Sequence, residues 1–279
     1  MALDPGIVGF DYPPFRRRYD ARDTILYALG VGAGERDDEL RFVHERGLVA
    51  LPTLPVAPPY AALAGMEAEL GVDLATVLHG EQRLRLHRPV PAAGETAIDA
   101  RVTAVWDKGA HAIIDTTAEI RVDGEHVATA VYATFVRGGG GFGGERGSGL
   151  RAPTRDREPD AVLTGRTLPG QARIYRLSGD DNPLHVDPAF ARRAGFERPI
   201  LHGLCTYGFA VRMALHELAG GDPARLTRAD ARFTDVVFPG DDLRVELWRS
   251  APGGASARVS VPARDTVVID PLELSAIPA

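Results

Sequence analysis

The stretch that most restricts the fold is GLCTYGFAVRMALHELA, residues 203–219. Only Thr206, Arg212, His216 and Glu217 break its apolar character. The pattern predicts a helix that opens after Pro199, near His202-Gly203, and runs to about Ala219. A helix that is apolar nearly all round is buried rather than laid on a surface. Something must therefore enclose it, and the sequence around it supplies strands. Leu243–Arg249, Ala255–Val261 and Thr266–Leu274 follow it. The first half offers the same order. A helix predicted near Ala61–Leu70 precedes strands at Gln82–Pro89, Thr96–Trp106, His111–Val122 and His126–Val136, with Asp107-Lys-Gly109 and Asp123-Gly124 as turns.

The two halves share a plan. Gln82 to Glu95 resembles Ala231 to Asp241 in its strand pattern and its proline–glycine–acid turn. Upstream, Tyr27-Ala-Leu-Gly30, ending a short capped helix that follows Asp20-Ala-Arg-Asp23, parallels Arg176-Leu-Ser-Gly179. The halves then part. The first continues Val31-Gly32-Ala33, and the second Asp180-Asp181-Asn182-Pro183-Leu184-His185.

That polar run carries the chemistry. Pro183 removes a donor and disfavours helix at Asn182, so the run is a loop. Asp187-Pro188 then reads as an N-cap with proline at the first helical position, and Gly195 as the end of that short helix. Taken singly, Asp180 is a turn cap and His185 a satisfied structural histidine. Together, and followed by His202-Gly203, they favour a site. A carboxylate and an imidazole share acid–base work near neutral pH, and a helix N-terminus stabilises a developing oxyanion. Asp181 reads as a solvent-facing turn residue. His79, His87 and His216 read as surface or packing residues.

Gly179-Asp180-Asp181-Asn182-Pro183-Leu184-His185, then Gly195-Phe196, then Pro199-Ile200-Leu201-His202-Gly203 resembles the hydratase 2 signature of the MaoC-like dehydratases, the (R)-specific 2-enoyl-CoA hydratases. The resemblance implies an α+β double hot-dog: two curved antiparallel sheets, each wrapping a long central helix. Residues 1–136 would form a degenerate N-terminal unit that accommodates the acyl chain. Residues 137–171 would be a Gly-rich linker, and 172–279 the catalytic unit. It implies a hydro-lyase that reversibly hydrates trans-2-enoyl-CoA to (3R)-3-hydroxyacyl-CoA in fatty acid metabolism. Asp180 and His185 would hold water and move protons, Asn182 would position them, and the Gly203 N–H would bind the thioester oxygen. His202 would serve substrate binding. The substrate would be an acyl-CoA thioester, with no other cofactor and no metal. Chains of this kind can pair again into a homodimer. Two alternatives stay open: a dehydratase of 3-hydroxyacyl carrier-protein thioesters, and a non-catalytic acyl-CoA-binding subunit.

Residues 137–149, RGGGGFGGERGSG, exclude a strand. They read as a flexible linker, with Gly141 and Phe142 as candidates for contact with a CoA phosphate or pantetheine. Residues 150–173 read as irregular. A net charge of −6 with no basic tract argues against nucleic acid. No apolar run reaches the roughly 20 residues of a membrane span, and the N-terminus lacks the basic and apolar regions of a signal peptide. One cysteine, Cys205, excludes an internal disulfide framework and reads as a buried bystander in a cytoplasmic protein.

Overall fold

The computed structural model describes residues 2–58, 70, 72–250 and 252–278. Among these, ten strands form one antiparallel sheet. They are β1 (Phe15–Tyr19), β2 (Val77–Leu86), β3 (Gly94–Asp107), β4 (Ala112–Val122), β5 (Glu125–Val136), β6 (Ala161–Arg166), β7 (Leu226–Phe233), β8 (Asp242–Arg249), β9 (Gly254–Val261) and β10 (Thr266–Ala276). Their order is β1-β3-β4-β5-β2-β7-β10-β9-β8-β6. Outward from the centre, one side reads 2, 5, 4, 3, 1. The other reads the same with every number raised by five. The repeat seen faintly in the sequence is thus a repeat of topology. The two expected sheets are halves of one, joined where β2 pairs with β7 from Glu81↔Arg232 to Arg85↔Arg228.

Among the described residues the helices include α1 (Ala21–Gly30), α2 (Leu40–Val43), α3 (Gln171–Tyr175), α4 (Pro188–Arg193) and α5 (Gly203–Ala219). α5 packs against all five strands β6–β10. Strands lie about 4.8 Å apart and a helix with its side chains is about 10 Å across, so one helix reaches five strands only if the sheet bends around it. This is the double hot-dog expected above. Of the helix expected near Ala61–Leu70, residues 61–69 lie outside the described residues.

Each polar interruption of α5 has a partner. Arg212, buried, pairs through Nη1 with Glu39, which is also buried, and donates from Nε to the Val31 carbonyl at 3.0 Å. His216 sits 3.3 Å from both Asp38 and Glu39. Glu217 takes Arg249 at 3.0 Å. Thr206 faces a cavity described below. The Arg212–Glu39 pair ties the second half's helix to the first half's loop after α1. α1 begins with a capping box between Asp20 and Asp23. Its last carbonyls are met from the other half: Gln171 Nε2 donates to Leu29 and Gly30, and the Cys205 thiol to Gly30. Cys205 is fully buried, and burial pushes its thiol up, as suits a bystander.

One expectation changes. The irregular stretch 150–173 contains edge strand β6, paired with β8 from Ala161↔Leu247 to Arg166↔Asp242, and the short helix α3. Arg16-Arg17-Arg18 lies in β1 at the opposite edge, where charged side chains discourage further pairing.

Breaking a buried pair by removing one partner costs about 3–5 kcal/mol. Glu39→Ala is therefore expected to lower the unfolding free energy by about that much, read from the midpoint of a urea titration. An unchanged midpoint would show that the pair does not anchor α5.

Candidate active site

The loop before α4 is built by local chemistry. Gly179 turns the chain at φ 136°, in the region that favours glycine. Asp180 Oδ1 then accepts the Asn182 N–H at 3.2 Å. Asn182 caps the single turn Pro183–His185, its Oδ1 accepting the Leu184 N–H at 3.0 Å. Its carbonyl oxygen thus holds the turn that presents His185. Asp187 caps α4 as expected, and Asp181 points to solvent.

Asp180 and His185 meet in a largely apolar wall. Asp180 Oδ2 lies 3.9 Å from His185 Nε2. That is too long for a direct hydrogen bond and suits one oxygen atom held by both. His185 Nδ1 donates to the Ile200 carbonyl at 3.0 Å. A carbonyl only accepts, so the Nε2 lone pair is the one facing Asp180. Burial pushes the Asp180 carboxyl up to about 7, against the lowering effect of the Asn182 N–H. Burial likewise brings His185 down to about 4. Near neutrality the imidazole is uncharged and the carboxyl stands midway through its titration.

Both side chains line a cavity of about 300 Å³. Gly203 and Leu204 at the start of α5 line it too, as does Thr206. A helix's first N–H groups have no carbonyl one turn earlier to bind, so this end offers donors and the positive end of a dipole. The opposite wall comes from the first half: Val77, Leu78, His79 and Gly80 of β2, and Phe135 of β5.

The structure therefore brings Asp180, Asn182, His185 and Gly203 to one cavity. His202 is elsewhere. It is fully buried and is not among the residues lining the cavity. It lies behind the pair, its Nε2 donating to the Asp180 carbonyl at 3.1 Å and its ring stacked on His185 at 3.7 Å. Substrate contact, the role expected of it, does not fit that position. Gly141 and Phe142 are also outside the cavity lining. The Gly141 N–H, which would cradle a phosphate, is given to the Asp107 carboxylate at 3.0 Å, alongside those of Gly109 and Gly143 at 2.8 and 2.7 Å. These donors hold Asp107 down at about 2, so the carboxylate stays in place at neutral pH.

His79, read above as a surface or packing residue, lines the cavity. Its ring lies 4.9 Å from Phe233 in the cavity wall. The alternating pattern was legible only from Gln82, but β2 starts at Val77, and a register shift between His79 and Glu81 interrupts the period. Gly80 sits in that bulge, where a Cβ would come 3.1 Å from the Ala133 carbonyl oxygen. Bulges next to sites re-aim a side chain in this way, and they erase the periodic signal.

Asp180, His185 and His202 each offer a metal-ligating atom, all within 4.8 Å of one another. The two rings are tilted by only 27°. Each ring already gives one nitrogen to a backbone carbonyl, His185 to Ile200 and His202 to Asp180, and the rings meet face to face. The group suits proton transfer better than metal binding. Among the described residues no helix is long and apolar enough to cross a membrane.

Residues 151–269 match the MaoC like domain family, and residues 17–138 the MFE-2 hydratase 2 N-terminal domain. The 3-hydroxyacyl-thioester dehydratase Y of Mycobacterium tuberculosis is 43% identical over 276 residues, covering 95% of this chain and 94% of that protein. The peroxisomal enoyl-CoA hydratase 2 of Arabidopsis thaliana is 37% identical over 258 residues, covering 85% of this chain and 84% of that protein. Among solved structures, a MaoC-like dehydratase from Phytophthora capsici superposes with a TM-score of 0.84 at 31% identity, covering 96% of each chain.

The raised Asp180 carboxyl has a cost in stability whose sign is fixed. Below its ordinary value of 3.8 it is protonated in folded and unfolded chains alike. As pH rises towards about 7, the unfolded chain releases the proton first and stability is lost, the loss being complete above that value. Asp180→Asn removes the ionisation. Its gain in Tm over the parent is expected to be larger at about pH 8 than at about pH 4.5, by thermal unfolding at both. Equal gains would mean the carboxyl is not raised.

Proposed function

The chain belongs to the MaoC-like dehydratase family, and from that premise we propose that it reversibly hydrates trans-2-enoyl-CoA thioesters to (3R)-3-hydroxyacyl-CoA. One observation carries the mechanism. Asp180 Oδ2 and His185 Nε2, 3.9 Å apart, face a cavity whose wall also holds the first residue of α5.

A water oxygen sits between the two side chains. Neutral His185 takes one of its protons at Nε2 while the oxygen bonds to Cβ. The double-bond electrons move towards the thioester oxygen, where the Gly203 N–H receives the charge. Removing one such donor typically costs about 2.7–4 kcal/mol of barrier. The Asp180 carboxyl gives its proton to Cα as the carbonyl re-forms. The pair then holds an imidazolium and a carboxylate, the state from which the reverse dehydration starts. No resident metal or redox group enters these steps, and the CoA moiety belongs to the substrate.

His185, brought down by burial, is a base over a wide range. Asp180, pushed up by burial, is an acid near neutrality. Burial thus shifts the two groups in opposite directions and assigns them opposite roles. A purely binding role would tolerate the two side chains splayed or shut away from the cavity. Both line it.

Hydration of crotonyl-CoA is followed by loss of the enoyl thioester absorbance, with product chirality resolved. The parent is expected to give the (3R) alcohol, and Asp180→Asn to lose about 10²–10⁴-fold in kcat. The pH profile of hydration is expected to fall below about 4, as His185 is protonated, and above about 7, as Asp180 loses its proton. An (S) product, or a variant as fast as the parent, would overturn the assignment.

A further inference from the structure

We infer that His202 is a positioning residue, an uncharged imidazole wedge that fixes Asp180 and His185 relative to the first N–H of α5 without touching substrate. The inference rests on the hydratase reading for its kinetic test, but its geometry stands apart from that reading.

His202 touches all three parts of the site from behind. Its Nε2 donates to the Asp180 carbonyl at 3.1 Å, which holds the backbone of the loop where the carboxyl begins. Its ring lies on the His185 ring, with centroids 3.7 Å apart and planes 27° apart. It is also the N-cap of α5, so Gly203 follows it directly. On a further side Tyr175 packs at 4.9 Å. The imidazole is thus held between Tyr175 and His185 and fully buried.

The remaining nitrogen shows what form the ring takes. Nε2 carries the hydrogen, because the Asp180 carbonyl only accepts, so Nδ1 is a bare acceptor. It is buried with no hydrogen-bond partner. The groups facing His202 are His185, the Asp180 main chain and carboxyl, Tyr175 and, further off, the Arg176 charge. Among the described residues no carboxylate oxygen is hydrogen-bonded to it to favour an imidazolium. A buried acceptor without a partner is costly, so the site retains this imidazole at some expense to stability. A histidine there can donate to the loop carbonyl from one edge and stack on the His185 face. An aliphatic side chain does neither, and a phenyl ring does only the second.

Two substitutions separate the two contacts. His202→Phe keeps a ring against His185 and loses the bond to Asp180. His202→Gln keeps an N–H for that carbonyl and loses the stack. With crotonyl-CoA, each is expected to lower kcat by about tenfold or more, since misplacing reacting groups by a fraction of an ångström suffices for that. KM is expected to stay within about threefold, because no substrate contact is removed. Folding is checked by Tm in the same preparations. A rise in KM at constant kcat would make His202 a substrate-binding residue and overturn the inference. So would unchanged kinetics, or a fall in Tm with normal kcat in the folded fraction.

A second readout needs no turnover. The ¹⁵N shifts of the His185 imidazole are expected to report a proton on Nδ1 in the parent and a mixture of tautomers in His202→Gln. A parent inactive on every enoyl-CoA would sink the hydratase reading alone. Unchanged His185 shifts in that variant would sink the positioning role alone.

Discussion

The seam between β2 and β7 is what the rest of the molecule depends on. The ladder joins the halves only from Glu81 to Arg85 and from Arg228 to Arg232. It is reinforced by one buried carboxylate, Asp230, which takes Arg85 at 2.5 Å, Arg228 at 2.9 Å and the Leu84 N–H at 3.2 Å. Past this ladder the two strands part. Val77–Gly80 leads into one end of the seam and Phe233–Val237 leaves it, and these are the residues that line the cavity. The site therefore lies where the seam stops. Neither half encloses it alone: the first brings His79 and Phe135, the second Asp180, His185 and the start of α5.

A cavity formed between two apolar faces is dry enough to alter what it holds. The same burial pushes a carboxyl up and an imidazole down, so Asp180 and His185 exchange their usual order of acidity. The fold keeps this at some cost, since a buried ionisable pair 3.9 Å apart lacks the direct hydrogen bond that would offset its desolvation. Support comes from behind, through Ile200, His202 and Tyr175, and from the anchoring of α5 by Glu39. Glu39 belongs to the first half, which lacks the polar loop. That half therefore contributes a wall and an anchor.

Much of this was legible in the sequence for a simple reason: its signals are local. The capped start of α1, the Asp187-Pro188 cap and the strand periods need only neighbouring residues to appear. β3, β4, β5 and β8–β10 fall within about two residues of where the alternation put them. Signals were lost where the chain breaks its own rule. The bulge at Gly80 hid the start of β2 and with it His79. β6 is six residues long in a segment rich in charge and proline, and its strand pairing with β8 is a distant contact. The glycine run invited a phosphate, and only the fold shows that Asp107 already occupies its N–H groups.

The sequence by itself determined that α5 must be buried, that two similar units lie in one chain, and that an Asp–Asn–His loop stands in only one of them. These follow from composition and spacing along the chain. Tertiary structure alone decided that the two sheets fuse edge to edge, that the first half walls the cavity with His79, and that His202 lies behind the pair. Those are distances between residues far apart in sequence, fixed by which strand edges and ring faces meet on packing, and no local pattern encodes them.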